Sequence, residues 1–384
     1  MSSPRTLLLA AALAAPFAAM AIQDCELNGQ SVNPANGSTT AGKTGLMRCK
    51  DRDSGELQRE QELKNGVFMG IVRYYGKGQL IKEHSVNANG NVEGRAREFS
   101  PTGQVLREAT YVNGSERGLV RSFHPNGQLR RASFYAEAGG EQASVEFNES
   151  GQLSALRCGD RPMLAPAADD AKLCGFGGRA SEVELFDTRG TLRTRAVWAS
   201  GKRQRSENLY DNGKPSAQEE ITGSQRTERR FSAEGVKRTE IVWLLTERGG
   251  IRQVEQAFSE TGTLVREQRW NATGEPVSDK SFFLNGQPRS QSVYSGSGES
   301  RTLENTTFHD NGQRASLGRY SAPPRGRQMP AGTHQRFDDK GTLVAESVYD
   351  AKGRVTRERA WDEAGKLQRD DEVFEDGSRK AFAK

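Results

Sequence analysis

The sequence has few of the apolar residues that build a large hydrophobic core. Its 384 residues are 34% hydrophobic, and its 55 Lys and Arg are nearly balanced by 50 Asp and Glu, for a net charge of +5. The low apolar content argues against a large single-core enzyme. The mixed charges argue against a nucleic-acid-binding protein, which concentrates Lys and Arg on one surface. A disordered chain and a highly solvated β protein remain, and sequence periodicity must distinguish them.

Only one long apolar run is present, and it lies near the N-terminus. Arg5 precedes Leu7–Ala19, a stretch of 13 residues, too short for the ~20 needed to cross a bilayer. A small-residue pattern ends at Ala21, which predicts a signal peptide over residues 1–21 and export to the periplasm or beyond. Cys25 does not directly follow the cleavage site, which argues against a lipoprotein. An uncleaved anchor is the alternative, and no other segment is apolar enough to span a membrane.

Cysteine is scarce, and all four cysteines follow the predicted leader. A small even number in an exported chain predicts disulfides, for which three connectivities are possible. The local pairing, Cys25 with Cys49 and Cys158 with Cys174, is favoured because it closes the shorter loops. A zinc site is disfavoured because the sequence has no Cys-x-x-Cys pair or matching His spacing.

Glycine is abundant, with 42 residues, and many of them belong to a repeat. An aromatic residue is followed by three residues, Gly, one residue and often Leu or Val. The first such glycines, Gly78, Gly103, Gly127 and Gly151, are 25, 24 and 24 residues apart, and other glycines lie near the midpoints. The basic unit is therefore about 12 residues, paired into units of about 24.

The repeat has the periodicity of β structure. Asn or Asp often precedes the Gly, as in Asn126-Gly127 and Asn311-Gly312, and these residues favour tight turns. A strand over 343–349 has a period of 2, with Leu343, Ala345, Ser347 and Tyr349 on one face and Val344, Glu346 and Val348 on the other. The sequence thus predicts an all-β fold, an elongated antiparallel meander of strand–turn units, as one continuous sheet or two lobes. The aromatic residues are interpreted as cross-strand packing residues rather than a cofactor or glycan site.

One part of this pattern resembles a known family. Gly94-x4-Phe99-x3-Gly103-x-Val105 and Gly118-x4-Phe123-x3-Gly127-x-Leu129 resemble the variant MORN repeat, and the resemblance extends over about 61–155. Beyond residue 179 it is looser, and Tyr349–Val355 resembles a YD repeat of large toxin shells as much. Bacterial proteins with the MORN repeat are often antitoxins or immunity proteins. Some exported ones are periplasmic partners of phospholipase effectors delivered by type VI secretion, so the resemblance implies a toxin partner of the lipase or phospholipase class.

Two interruptions divide the repeats. The predicted organisation is a signal peptide (1–21), a disulfide-tied N-terminal cap (22–60), a first array (61–155), a Cys-bounded insertion (156–178), and a second array (179–384) with a Pro-rich loop (321–332). Insertions in repeat arrays form loops, which often lie on the binding face. The alternative is that both insertions are surface loops that do not contact a partner.

The two insertions supply the candidate contact residues. The first is apolar and acidic, and Asp169 and Asp170 are its predicted partner-binding residues. If the partner is a phospholipase, these carboxylates would occupy its phosphate pocket. The second is cationic and stiffened by proline, and Arg325 and Arg327 are its predicted contact residues.

No catalytic constellation stands out in the sequence. His124 and His309 occupy the same repeat position, directly after the aromatic residue, which favours a role in the turn. His84 falls in a predicted strand, and His334 follows the Pro-rich loop. The carboxylates are too dispersed to select an acid–base pair. We therefore expect no enzyme activity and no catalytic, cofactor-binding or metal-binding residues.

The predicted function is that of a periplasmic immunity protein that binds a secreted toxin and occludes its active site. The alternative is a non-catalytic envelope scaffold whose Arg-rich strands, with Arg226, Arg229, Arg230 and Arg238, meet anionic headgroups or wall polymer. A carbohydrate-binding protein is disfavoured because no exposed aromatic cluster separates from the cross-strand packing residues.

Overall fold

The computed structural model describes residues 23–383. The predicted signal peptide and its cleavage site lie outside the described residues. The chain divides into two compact units, the first ending at Asp170 and the second beginning at Ala171. Each unit has its own antiparallel sheet, so the predicted all-β meander is confirmed, in the form of two sheets.

The first unit contains a sheet of 12 strands in the order β12-β11-β10-β9-β8-β7-β6-β5-β4-β3-β1-β2. From β3 onward each strand pairs with the next, whereas β1 lies between β2 and β3. The strands are β1 (Gln23–Leu27), β2 (Gln30–Val32), β3 (Gly45–Asp51), β4 (Leu57–Lys64), β5 (Val67–Gly76), β6 (Gln79–Val86), β7 (Val92–Phe99), β8 (Val105–Val112), β9 (Ser115–Phe123), β10 (Leu129–Tyr135), β11 (Glu141–Phe147) and β12 (Leu153–Arg157).

The second unit contains a sheet of 17 strands, each paired with its sequence neighbours. The strands are β13 (Ser181–Phe186), β14 (Leu192–Ala199), β15 (Lys202–Leu209), β16 (Pro215–Thr222), β17 (Gln225–Phe231), β18 (Lys237–Thr246), β19 (Gly249–Phe258), β20 (Leu264–Trp270), β21 (Pro276–Phe282), β22 (Pro288–Ser295), β23 (Thr302–Phe308), β24 (Arg314–Ser321), β25 (Met329–Phe337), β26 (Leu343–Tyr349), β27 (Val355–Trp361), β28 (Leu367–Val373) and β29 (Arg379–Ala383).

One turn geometry recurs through both sheets. In the copy between β7 and β8, the Ser100 N–H donates to the Gln104 carbonyl at 2.8 Å and the Gly103 N–H donates to the Ser100 carbonyl at 2.9 Å. Gly103 has a φ of +79°, which glycine adopts without steric cost. The same pair of bonds recurs in turns that begin at Asn87, His124, Ala136, Asn148, Asp187, Tyr210, Ser232, Ser259, Asn271, Phe283, His309, Asp338, Asp350, Asp362 and Phe374. The predicted turn role of the glycines is therefore confirmed.

The N-terminal strands enclose a small hydrophobic core. The cluster contains Cys25, Leu27, Val32, Met47, Cys49 and Leu63, with Phe68 packed against it. Cys25 and Cys49 are direct cross-strand partners on β1 and β3 and form a disulfide. The strands of the predicted cap, β1 to β4, are thus part of the first sheet and continuous with the array that follows it.

The middle of the first sheet carries a ladder of alternating charges on one face. Successive strands from β3 to β9 place Arg48, Glu60, Arg73, Glu83, Arg97, Glu108 and Arg121 directly opposite one another. Glu83 lies between Arg73 and Arg97, with one carboxylate oxygen 2.7 Å from each guanidinium. These hydrogen bonds lower the pKa of Glu83. The opposite face carries small buried residues at the matching positions, including Ala96, Ala109, Val120, Ser133 and Ser144.

The second sheet has a similar polar ladder. Glu184, Arg195, Glu207, Gln218, Arg229 and Glu240 are direct partners on β13 to β18. At the other end of the sheet, Gln335, Glu346, Arg359 and Asp370 are direct partners on β25 to β28. Long polar side chains that hydrogen-bond across strands therefore occupy central positions of the sheet.

Residues 158–180 connect β12 to β13 and include the four-residue helix α1 (Asp170–Leu173). No helix among residues 23–383 is long and apolar enough to span a membrane. Cys158 and Cys174 are both disulfide-bonded. With the Cys25–Cys49 bond, all four cysteines are oxidised, as expected in an oxidising compartment outside the cytoplasm.

Candidate functional site

The candidate site lies where β24 and β25 depart from regular pairing. Leu317 pairs with Gln335 and Arg319 pairs with Ala331, so Gly318 alone faces three residues, Gly332 to His334. This is a bulge in β25, and Gly332 has a φ of +67° there. A bulge re-aims side chains, and bulges are frequent beside functional sites.

The bulge places the His334 imidazole over Gly318. A Cβ atom at position 318 would lie 3.1 Å from both Nδ1 and Cε1 of His334, so the missing side chain leaves room for the ring. The ring centroid of His334 is 4.9 Å from Tyr320 and 4.5 Å from Tyr349. His334 Nε2 is 2.6 Å from the Arg319 carbonyl oxygen, which fixes the orientation of the imidazole. We call Tyr320, His334 and Tyr349 the aromatic cluster.

Two cavities flank the aromatic cluster and share Tyr320. The first, of about 190 Å³, has a polar lining that includes Asn305, Gln335 and Glu346, together with His334 and Tyr349. The second, of about 350 Å³, is lined by residues that include Thr302, Glu304 and Arg319. A partly exposed aromatic surface with polar groups around it can accept one planar or apolar side chain and hydrogen-bond to its surroundings.

The Pro-rich loop begins directly beyond Tyr320. β24 ends at Ser321 and β25 begins at Met329, so the loop occupies 322–328 and the strands take both ends of the predicted 321–332 interval, including Pro330. Arg325 and Arg327 are exposed and make no ion pair with any residue in 23–383. The predicted contact residues of this loop are thus solvent-accessible and lie close in sequence to the aromatic cluster.

The turn between β26 and β27 lies against the first residues of β25, directly after this loop. A Cβ on Gly353 would be 3.4 Å from the Met329 Cβ. Lys352, in the same turn, is exposed and makes no ion pair within the described part of the chain. The neighbouring Asp350 accepts hydrogen bonds from the backbone and guanidinium of Arg354, and these lower its pKa. Asp350 is therefore already neutralised, and the positive charges of the loop are not.

The predicted acidic pair in the first insertion requires correction. Asp170 is only 1% exposed, and its Oδ2 accepts hydrogen bonds from the N–H groups of Met163 at 2.6 Å and Leu164 at 3.1 Å. Asp169 is exposed. Asp170 holds the local backbone and cannot reach a partner's phosphate pocket together with Asp169. Sequence alone could not distinguish these adjacent carboxylates.

The histidines have different environments. His124 and His309 lie in turns, and their Nε2 atoms are 2.8 Å and 3.1 Å from the carbonyl oxygens of Phe147 and Phe337. Their predicted turn role is confirmed. His84 is buried in the first sheet beside Tyr74. Among residues 23–383, no group of three or more His, Cys, Asp or Glu could hold a metal ion.

The sequence does not predict the aromatic cluster, because the repeat spacing indicates only that Tyr349 is a cross-strand packing residue. One sequence signal was available: Gly332-x4-Phe337-x3-Gly341-x-Leu343 has the same spacing as the two segments beginning at Gly94 and Gly118. Both of those glycines have positive φ angles and lie in equivalent bulges of β7 and β9. The β25 bulge is therefore a copy, in the second unit, of a feature of the first.

Comparison with protein families identifies two repeats in the first unit. Residues 92–113 and 116–137 match the MORN repeat variant. Each match covers all or nearly all of a bulged strand, a turn and the whole of the next strand, so the repeat corresponds to β7–β8 and β9–β10. No curated protein matches the sequence.

Comparison with solved structures gives only weak likenesses. TarM is 12% identical, with a TM-score of 0.16, over 35% of this chain and 21% of its own. The TcdB2-TccC3-Cdc42 structure is 10% identical, with a TM-score of 0.18, over 93% and 19%. A porin-like protein from Bacteroides uniformis is 10% identical, with a TM-score of 0.17, over 53% and 86%. The chain spans about a fifth of the first two proteins, and likenesses at these scores support no conclusion about function.

Proposed function

We propose that the chain is an exported, non-catalytic immunity protein that binds a secreted antibacterial toxin and occludes its active site. The partner is a lipase or phospholipase, as for a type VI secretion effector. The leader is removed after Ala21, and the mature protein acts in the periplasm. The matched MORN repeats and the oxidised cysteines support the coarser part of this proposal, an exported repeat protein.

The observation that carries the proposal is the composition of one surface. Tyr320, the cations Arg325 and Arg327, the exposed Met329 and His334 follow one another along the chain on either side of one loop, and the ring of Tyr349 lies 4.5 Å from His334. Tyr, Met and Arg are enriched in protein interfaces, and Tyr and Arg dominate the residues that contribute most to affinity. This combination is typical of a protein-binding surface, and such a surface requires no catalytic residues.

Occlusion requires only that the loop reach into the toxin's cleft. A Pro-stiffened loop loses less conformational entropy on binding than a flexible one. The guanidinium groups of Arg325 and Arg327 would pair with carboxylates at the rim of the cleft, and the surrounding sheet would supply the roughly 800 Å² per partner that a specific complex needs.

The test is protection of cells against a toxin, and the proposal expects that a gene for this toxin lies beside the gene for this chain. Deleting the gene should make cells die when that toxin reaches the periplasm, and the wild-type chain should restore survival. The double variant Arg325→Glu/Arg327→Glu should fail to restore it. The matched control is Lys340→Glu/Lys366→Glu, which reverses two exposed charges in turns at the opposite edge of the same sheet. Normal survival of the deletion strain would refute the proposal.

The envelope-scaffold alternative has less structural support. In the described residues, Arg226 is paired with Glu228 at 2.9 Å and Arg229 with Glu240 at 2.8 Å, so these strands are partly neutralised. Salt-sensitive binding of the mature chain to anionic vesicles, with no protein partner recovered from periplasmic extract, would favour the scaffold instead.

A further inference from the structure

Aromatic residues are sorted by type between the two faces of the second sheet. Those that precede turns at one edge lie on the face of the polar ladder and are mostly phenylalanine: Phe186, Phe231, Phe258, Phe282, Phe308, Phe337 and Trp361. Those that precede turns at the other edge lie on the opposite face and are all tryptophan or tyrosine: Trp198, Trp243, Trp270, Tyr294, Tyr320 and Tyr349. We call the second set the Trp/Tyr row. All six of its side chains are half-buried.

Two of the three tryptophans in this row, Trp243 and Trp270, already have the protein's own cations against their rings. Arg226 and Arg252 flank the Trp243 ring at 5.2 Å and 5.1 Å from its centroid, and Arg252 also lies 5.3 Å from the Trp270 ring. Both arginines are in turn paired with carboxylates, Glu228 and Glu255. The rings of Trp243 and Trp270 and the charges beside them are therefore satisfied internally. In the tyrosine half, Arg301 likewise lies 5.3 Å from the centroid of the Tyr294 ring, whereas the aromatic cluster has no such cation among the described residues.

The tyrosine half has open space and unneutralised charge. Tyr320 and Tyr349 both border the cavity of about 190 Å³. The nearby carboxylates Asp350 and Glu375 each lie 2.7 Å from Arg354 and are thereby paired. Arg325, Arg327 and Lys352 are exposed and make no ion pair with the described residues, which leaves a local excess of positive charge.

We propose that this half of the row, from Tyr294 to Tyr349 with the 322–328 loop, binds an acidic segment of a partner protein. One planar or apolar side chain of that segment enters the cavity of about 190 Å³ beside His334, and flanking carboxylates pair with the loop cations. The proposal rests on the proposed function and adds the chemistry of the partner. The six strands β22 to β27 span about 24 Å at ~4.8 Å per strand spacing, comparable to the width of a standard interface.

Charge complementarity selects an acidic partner over a neutral one. Oppositely charged surfaces accelerate the encounter and disfavour wrong partners, and this effect weakens as salt screens the charges. The bulge defines the depth of the cavity, because Gly318 has no side chain and His334 lies over it. A larger residue at position 318 would displace the imidazole without altering any charge.

The first experiment measures binding of a defined probe to the mature full-length chain by calorimetry. The probe is a synthetic peptide with one Tyr flanked by Glu and Asp, and its control has Gln and Asn at those positions. We expect the acidic peptide alone to bind, with affinity that falls as salt rises. Arg325→Glu/Arg327→Glu, Tyr349→Ala and Gly318→Val should each weaken binding about tenfold or more. Tyr349→Phe, which keeps the ring, should bind like the wild type.

Trp198→Ala is the matched control, because it removes an aromatic residue of the same row in the other half. Circular dichroism and thermal unfolding identify any variant that fails to fold. Binding of neither peptide, equal binding of both, or equal loss from Trp198→Ala and Tyr349→Ala overturns the inference. Displacement of the acidic peptide by a soluble oligosaccharide overturns it in favour of a glycan site.

The cell-protection assay separates the two proposals. Full protection by Arg325→Glu/Arg327→Glu would overturn the inference and leave the proposed function standing. The opposite result is also possible: the mature chain binds the acidic peptide specifically, but deletion of the gene does not sensitise cells to the toxin. That result would support the inference and refute the proposed function.

Discussion

At the residue scale, the buried histidine of the first sheet is the side chain most sensitive to acid. His84 is 8% exposed, and its buried Nδ1 has no hydrogen-bond partner among the described residues. Burial, reinforced by the charges of Lys82 and Arg59, lowers the pKa of His84. The folded chain therefore binds fewer protons than the unfolded chain, whose histidine has a pKa of about 6.5.

We predict that stability falls as the pH drops below about 6.5, where the unfolded histidine becomes charged while folded His84 stays neutral. Above that pH, the contribution of His84 is fully present. His84→Phe should remove part of the slope of the unfolding free energy against pH, measured by urea denaturation. The control Val72→Ala changes the buried cross-strand neighbour of His84, which does not titrate. Val72→Ala should lower the unfolding free energy at every pH without changing its slope against pH. If His84→Phe has the same slope as the wild type, the prediction is wrong.

Glycine has a distinct role at the repeated turns. Gly127 has a φ of +88°, and a Cβ there would collide with the side-chain amide of Gln104. Gly177 has no positive φ, and a Cβ there would meet nothing within 4 Å. The two positions therefore differ in both backbone strain and available space.

We predict that Gly127→Ala lowers the unfolding free energy by about 1–2 kcal/mol, because an L residue is strained in this conformation. Gly177→Ala should stay within about 0.5 kcal/mol of the wild type. Chemical denaturation of both variants measures the difference. Equal effects at the two positions would show that the turn conformation is not the cause.

At the scale of strands and turns, the sequence predicts what is local and repeated. Gly103, Gly127 and their equivalents mark the turns because each needs a positive φ, and the 12-residue spacing leaves room for one strand. The register that aligns Glu83 with Arg73 and Arg97 is not visible, because both faces carry polar residues and the pattern does not reveal which residues are opposite. The bulge at Gly332 was missed for a related reason: its glycine lies within a strand, where the turn rule does not apply.

The charge ladder predicts unequal effects for two nearby carboxylates. Glu83 contacts two guanidinium groups, and its side chain is 21% exposed. Among the described residues Glu98 has a single ion-pair partner, Lys82, at 3.4 Å, and both side chains are nearly half exposed. An exposed pair contributes little, whereas a carboxylate shared by two cations in a part-buried network contributes more.

We predict that Glu83→Gln costs about 1 kcal/mol and Glu98→Gln close to zero, measured by chemical denaturation at neutral pH. Because the two arginines lower the pKa of Glu83, its contribution is present above the unfolded pKa of about 4.3 and is lost as the pH falls through the lower folded value. The difference between the variants should therefore shrink in acid and in high salt. A difference that persists in strong acid would contradict the ladder's electrostatic role.

At the scale of the whole molecule, the composition follows from the architecture. Each strand crosses a thin sheet and has solvent near both faces, so central positions on one face are filled by paired charges and on the other by small residues. The one described hydrophobic cluster, around Met47 and Leu63, lies where the Cys25–Cys49 bond ties β1 to β3. A chain that depends on such a bond needs an oxidising compartment to keep it.

We therefore predict that the protein is exported and that its leader is removed. Expressed with its leader in a Gram-negative host, the chain should be recovered from the periplasm with Ile22 as its first residue, as N-terminal sequencing would show. Thiol labelling of the denatured protein without reductant should find no free cysteine, and a Cys25→Ser/Cys49→Ser variant should be less stable by about 3 kcal/mol. A version without residues 1–21 should stay in the reducing cytoplasm and expose labelled thiols. A cytoplasmic, fully thiol-labelled wild type would contradict both the leader and the compartment in which toxin binding is proposed.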